Sequence, residues 1–296
     1  MRRIKNILVY VDDASATLSV LDRIVEWAQA SQAGLTLAGV VEPMRSWIAE
    51  ARGVVAEAEN ELAGHTEGQL NELAQSLAQS GLDVAVKVYR GDPATVLVQA
   101  VLRDGYDLVY KAGEQEQSGS ALSSVERRLL RVCPCPVAIL RPLQPERPGR
   151  VLAAVDFDPE QPEKGAINDL ILELAARAAL IGVRELHILH VWRLFGESSL
   201  AHGFARVSEE HLNELRGKEE KEHRDWIEAL VKKCLDSLGP EAVQYLLPKI
   251  HLLKGDPRKV IPAQVDALRP DLLIIGSVAR TIKITSPKLH IRHYTD

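Results

Sequence analysis

Lys87-Val88-Tyr89-Arg90-Gly91-Asp92-Pro93-Ala94-Thr95-Val96 and Lys249-Ile250-His251-Leu252-Leu253-Lys254-Gly255-Asp256-Pro257-Arg258-Lys259-Val260 are two copies of one pattern. Each reads as a strand, a tight turn and the start of a helix. Gly supplies a permissive backbone, Asp can cap the coming helix, and Pro suits the first helical position. An apolar run follows each turn and leads to Asp107-Leu108-Val109-Tyr110 in the first copy and Asp271-Leu272-Leu273-Ile274-Ile275 in the second. Gly91 and Gly255 lie 164 residues apart, and so do Asp107 and Asp271. A spacing kept across a whole strand-helix-strand unit marks an internal duplication of an α/β chain.

On either side of the turns the same order recurs. Ile7-Leu8-Val9-Tyr10-Val11 is a continuous apolar run of the kind a buried parallel strand shows. From Thr17 to Ala30, Leu18, Leu21, Ile24, Val25 and Ala28 recur at helical spacing. Leu35 to Val41 reads as a second strand and Ala56 to Gln79 as a long helix. Val84 to Val88 is a third strand and Leu108 to Tyr110 a fourth. Ser123-Ser124-Val125-Glu126 is a capping-box pattern that opens a helix, and Val137 to Leu140 is a fifth strand. Pro-rich, polar residues then form a linker. Val151 to Asp156 repeats Ile7 to Asp12 at an offset of 144, and Glu185 to Val191 is aligned with Leu35 to Val41 at 150. The offset of 164 at the next strand puts a gain of 14 residues in the second half, assigned to Arg193 to Val207. This gives domains at 1–142 and 151–296, joined by a linker at 143–150. Strands alternating with crossover helices predict two tandem doubly wound, Rossmann-like parallel-sheet domains with right-handed connections. In such sheets ligands sit beyond the carboxyl ends of the strands, where the strand order reverses.

At 296 residues the chain has room for two domains. Hydrophobic residues are 46% and aromatics 4%, so the core must be built mainly of aliphatic side chains. A net charge of -5 argues against general nucleic-acid binding, which needs a basic face. No apolar run reaches the ~20 residues that span a bilayer, so no membrane role is expected. Three cysteines, with no export signal in the first residues, predict a cytoplasmic location. Cys133-Pro134-Cys135-Pro136 has one residue between its cysteines, where redox motifs have two, and reads as a Pro-bounded lead into a strand.

The strand ending in Asp, the His-Val after the second strand, the Gly-Asp-Pro turn and Asp271-Leu272-Leu273-Ile274-Ile275-Gly276 together resemble the universal stress protein family in its tandem form. The resemblance covers nearly the whole chain. It implies a cytoplasmic stress-response protein, self-associating or pseudo-dimeric between its two domains. It also implies a link to survival under stress, DNA damage included. Some family members bind ATP through Gly-x-x-Gly, nine residues, then Gly and Ser, Thr or Asn; glycines there let backbone N–H groups approach phosphates.

That motif is degraded in both halves here. Gly276-Ser277-Val278-Ala279 keeps the first Gly and has Ala279 at the second, and no third Gly follows Arg280. In the first half Ala112 stands where Gly276 does. The second domain also lacks its usual last helix and strand; either its C-terminus is truncated or altered, or Lys283 to Ile291 pairs as a replacement strand. The resemblance implies a ligand site at Asp156, Val191, Gly255, Gly276, Ser277 and Arg280, with ATP as the cofactor. Against this, Asp156 and Gly255 can be read as turn and capping residues, and Gly276 to Arg280 as a strand-end turn. His187, His190, His202, His211 and His223 invite a metal reading, but neither strand alternation nor the helical spacing of His211 and His223 groups them around one ion. No Gly-x-Ser-x-Gly elbow supports a hydrolase. The reading is therefore a non-catalytic stress regulator or interaction scaffold with unknown protein partners. The alternative is a module binding an adenine nucleotide or another small ligand in the second domain.

Overall fold

The computed structural model describes residues 4–44, 52–113, 122–142, 149–158, 163–182, 184–202, 207–276 and 282–285. Two compact units divide the chain. One is built on residues 2–147 and takes in a strand from residues 277–289; the other is built on residues 148–276.

In the N-terminal unit the strands are β1 (Asn6–Tyr10), β2 (Gly34–Val41), β3 (Val84–Arg90), β4 (Leu108–Ala112) and β5 (Val137–Leu140). They form a parallel sheet in the order β3-β2-β1-β4-β5. The chain winds one way from β1 to β3, then crosses to β4 on the far side of β1. The order therefore reverses between β1 and β4, and a crevice opens there at the carboxyl ends. Ile7, Leu8, Val9, Leu108, Val109 and Val137 are wholly buried, as strands covered on both faces require.

The helices of this unit are α1 (Ala14–Leu18), α2 (Leu21–Ser31), α3 (Arg52–Ala78), α4 (Pro93–Asp104) and α5 (Ser124–Val132). The single helix predicted over Thr17 to Ala30 is broken at Ser19 and Val20. Asp13 caps α1 by accepting from Ser15 N and Ala16 N, Thr17 Oγ1 donates to Asp13 O, and Ser19 Oγ donates to Ala16 O. Short hydroxyl side chains satisfied this locally compete with helix continuation. Leu18 consequently faces solvent at 55% exposure, and Val20 takes the buried place.

The C-terminal unit repeats the plan with β6 (Arg150–Val155), β7 (Glu185–Trp192), β8 (Lys249–Lys254) and β9 (Leu272–Gly276). Its parallel order is β9-β6-β7-β8, with the reversal between β6 and β9. Its helices are α6 (Glu163–Ile181), α7 (Glu197–His202), α8 (Glu209–Leu238), α9 (Pro240–Tyr245) and α10 (Pro257–Leu268). Among the described residues this sheet has four strands where the N-terminal unit has β1 to β5. The last strand, β10 (Ile282–Thr285), pairs in parallel with β5 of the N-terminal unit, Lys283 opposite Val137.

Both Gly-Asp-Pro turns are built alike. Gly91 and Gly255 adopt φ of 137° and 155°, and an added Cβ would meet Val96 Cγ1 and Val260 Cγ2, each at 2.7 Å. Asp92 accepts from Thr95 N and Asp256 from Arg258 N, so each caps the helix that its Pro begins.

Strand pairing corrects the second-strand alignment by one residue. Ile7 lies opposite Leu35, whereas its counterpart Val151 lies opposite Leu186. The offset at β7 is therefore 151 and not 150, and His190, not Leu189, corresponds to Gly39. A strand buried on both faces has no polar alternation to reveal its register. The insertion is also divided. The offset is 151 at β7 and 164 at β8, and part of that gain lies between α8 and β8, where α9 has no counterpart between α3 and β3, rather than in Arg193 to Val207.

Candidate functional site

The carboxyl corner of the N-terminal sheet is closed by charged side chains. Asp12 follows β1, Lys111 projects from β4, and Glu126 lies in the first turn of α5. Lys111 Nζ is 2.7 Å from Asp12 Oδ2 and 3.2 Å from Glu126 Oε1, and it donates to Ala112 O at 3.0 Å. The Lys111 and Glu126 side chains are fully buried, while Asp12 is 25% exposed. Glu126 is held by the capping box: Ser123 N donates to its Oε2, and Ser123 Oγ accepts from Glu126 N. Burial alone would lower the Lys111 pKa. Glu126 and then Asp12 more than offset that and hold it above the ordinary lysine value. Sequence reasoning found the capping box but missed Lys111. The available signal was a lysine inside the otherwise apolar strand Leu108–Ala112.

The C-terminal corner has the same backbone and different side chains. Asp156 follows β6, Val191 lies near the end of β7, Gly255 follows β8 and Gly276 ends β9. The structure thus brings these four expected residues to the carboxyl ends of four adjacent strands. Ser277 and Arg280 lie outside the described residues. Asn168 of α6, 4% exposed, fixes the strand end by accepting from Asp156 N at 3.1 Å and donating to Asp156 O at 2.6 Å. Ile275 stands where β4 carries Lys111, so the position that neutralises Asp12 is apolar here. A Cβ on Gly276 would come within 3.2 Å of Ile167 Cγ2, so α6 lies close above it. The Val191 side chain is committed to an apolar cluster with Leu152, Leu189, Val265 and Leu273. Gly255 N donates to Trp192 O at 2.9 Å, which ties the turn to β7.

Two imidazole pairs lie on β7. His187 Nδ1 is 2.9 Å from His251 Nε2, and Glu185 is 3.3 Å from His187 Nε2. At the other end His190 Nδ1 meets Val155 O at 3.1 Å, and His190 Nε2 meets His223 Nδ1 of α8 at 2.7 Å. Phe157, Trp192 and Trp226 pack around this second pair with ring centroids 4.9 to 5.9 Å apart. The His190 pKa is pushed down to about 4, chiefly by burial and in smaller part by the neighbouring His223, while the Val155 carbonyl and Asp156 pull the other way. The sequence reading noted His187, His190 and His223 but not His251, and it missed both pairings, because the pairs join elements distant in the chain. Among the described residues, no group of three or more His, Cys, Asp or Glu is placed to hold a metal ion. Cys133 Sγ and Cys135 Sγ are 3.6 Å apart and buried. Among the described residues no helix is long and apolar enough to cross a membrane.

Residues 3–141 match the Universal stress protein family. Universal stress protein E of Salmonella typhi is 26% identical over 217 residues, covering 72% of this chain and 64% of that protein. Universal stress protein E of Escherichia coli K12 is 25% identical over the same spans. The chain thus spans 64% of the length of these curated relatives. Among solved structures, a functionally unknown protein from Pseudomonas aeruginosa PAO1 superposes with a TM-score of 0.65 at 19% identity, covering 96% of this chain and 92% of that one. A universal stress protein from Archaeoglobus fulgidus DSM 4304 gives 0.59 at 19% identity, covering 96% and 99%. At that identity the likeness is one of fold.

Proposed function

We propose that this chain, whose residues 3–141 match the universal stress protein family, is a tandem member of that family and acts as a non-catalytic stress-response regulator or interaction scaffold, with DNA-damaging agents among the stresses it counters. The observation that carries the proposal is the Lys111–Asp12–Glu126 triad. It sits at the carboxyl ends of β1 and β4, where a doubly wound sheet receives its ligand, and it commits Asp12 to an ion pair. A unit whose ligand corner is closed by its own charges serves through its surface. The test is a calorimetric ATP titration of the full chain. No saturable binding sensitive to Asp12→Ala is expected. Micromolar binding that is lost with Asp12→Ala and kept with Asp156→Ala and Gly276→Ala would overturn the reading. Metal-dependent phosphate release above a matched blank would overturn its non-catalytic part.

A second reading has its own support. In the C-terminal unit Ile275 replaces the lysine and Gly276 keeps the strand end slim. That favours an adenine nucleotide or other small ligand held near Asp156, Gly255 and Gly276, with Ser277 and Arg280 following in sequence. Mass spectrometry of protein denatured after gentle purification discriminates the two: a stoichiometric small molecule supports the binding module, and its absence supports the scaffold.

A further inference from the structure

The two units fill one position in opposite ways. In the N-terminal unit Gly39 of β2 lies under α3, where a Cβ would clash with Thr66 Cγ2. The corresponding residue of β7 is His190, and the α8 residue above it is His223. A glycine that lets a helix settle directly on the sheet has been replaced by a pair of rings bridging helix and sheet. His190 is 1% exposed and His223 8% exposed. The buried residues of the 30-residue α8 are Leu212, His223, Ile227, Leu230 and Val231, so His223 is the polar member of a narrow face.

The hydrogen-bond chain fixes the protons. Val155 O can only accept, so His190 Nδ1 carries a hydrogen and, in the neutral ring, Nε2 accepts. His223 Nδ1 must then donate. A first added proton has a place, because His223 Nε2 faces Glu219 Oε1 at 3.5 Å. A second has none. It would put an N–H on each of two nitrogens 2.7 Å apart, and two like charges in a site walled by Phe157, Trp192 and Trp226. β6 brings Asp156, α8 brings Glu219, and β8 brings Lys254, which lies over the Trp192 ring and pairs with Glu197 of α7. α6 brings the neutral Asn168, bound to Asp156.

We propose that His190 and His223 form a proton-operated latch between β7 and α8, closed while the rings share one N–H···N hydrogen bond and opened when both rings are charged, with a proton on each of their nitrogens. Release frees the middle of α8 and withdraws the support of the strand end that bears Asp156. The low pKa of His190 agrees with a second proton arriving only in acid.

The test is hydrogen exchange of the full chain, read as protection factors across α8 from pH 7 to pH 4. Protection around His223 is expected to fall at least about tenfold between pH 6 and pH 4, while β1 and β4 keep theirs. In His190→Gln and His223→Gln that acid step should vanish or move by a full pH unit. Unchanged protection in the wild-type chain, or the same step in both variants, would overturn the proposal. Should either variant fail to fold, long-range proton–nitrogen spectra of the wild-type chain still decide. His190 protonated on Nδ1 alone at pH 7 supports the latch, and His190 protonated on Nε2 alone overturns it.

Discussion

Replacing Lys111 with methionine tests whether the N-terminal corner is held shut by its ion triad. The side chain stays unbranched, ends one atom short of Nζ and loses its charge. Glu126 is then left fully buried, with Ser123 N as its remaining donor from the capping box. Breaking a buried pair by removing one partner costs about 3–5 kcal/mol, because the other charge stays desolvated. Asp12 is 25% exposed and can recover water, which places Lys111→Met at the lower end, about 3 kcal/mol. The double variant Lys111→Met/Glu126→Gln removes the stranded charge and keeps an amide oxygen for Ser123 N. It should recover about 1.5 kcal/mol or more of the loss expected from adding the two single variants. The assay is urea unfolding followed by hydrogen exchange mass spectrometry at the β1 and β4 peptides, which reports on this unit alone. A loss below about 1 kcal/mol for Lys111→Met, or strict additivity in the double variant, would refute the claim that the triad closes the corner.

Gly91→Ala and Gly255→Ala should each destabilise by at least about 1 kcal/mol, since positive φ strains an L side chain and the new Cβ meets a valine at 2.7 Å. Thermal unfolding of the two variants checks this. Gly64→Ala goes the other way: nothing lies within 4 Å of its Cβ position inside α3, and about 0.5–1 kcal/mol of stabilisation is expected in the same melts. Asp256→Ala removes the N-cap of α10 and should cost about 1 kcal/mol, measurable by chemical denaturation. His190 is held at about 4 against an ordinary 6.5, so the unfolded chain binds a proton that the native chain refuses between those values. Stability should therefore be full above pH 6.5 and fall by about 3 kcal/mol as pH drops to 4, and His190→Gln should flatten that slope.

The duplication was legible because Gly-Asp-Pro needs its three residues for separate backbone reasons. Gly91 and Gly255 take positive φ, the aspartates cap, and the prolines begin helices. Such demands survive sequence drift, so the spacing of 164 residues carried through to the structure. Strand register was less legible. Leu35 to Val41 and Leu186 to Trp192 are buried on both faces for nearly all of their length, so a one-residue slip leaves little trace in hydrophobicity. It does exchange the faces, and it concealed that His190 answers to Gly39. The broken α1–α2 segment escaped for a different reason. Leu18 sits at helical spacing, but Asp13, Ser15, Thr17 and Ser19 supply hydrogen bonds that end the first turn early.

The corners show what pattern reading of a duplicated fold omits. A backbone repeat fixes where side chains can meet, and single substitutions decide what they do there. Lys111 and Ile275 are equivalent positions on equivalent strands, yet one pairs with the strand-end aspartate and the other is apolar. Gly39 and His190 are likewise equivalent, yet one brings a helix down onto the sheet and the other holds it through a ring pair. In each case the decisive residue is a charged or ionisable side chain within an apolar strand. Burying one unpaired costs several kcal/mol, so a partner from another element must exist. Lys111 in β4 points to Glu126, and His190 in β7 points to His223. The rule for the next reading of such a chain is concrete: an ionisable residue inside a strand predicts a buried partner on the helix that covers it, and the pair marks where the two copies have diverged.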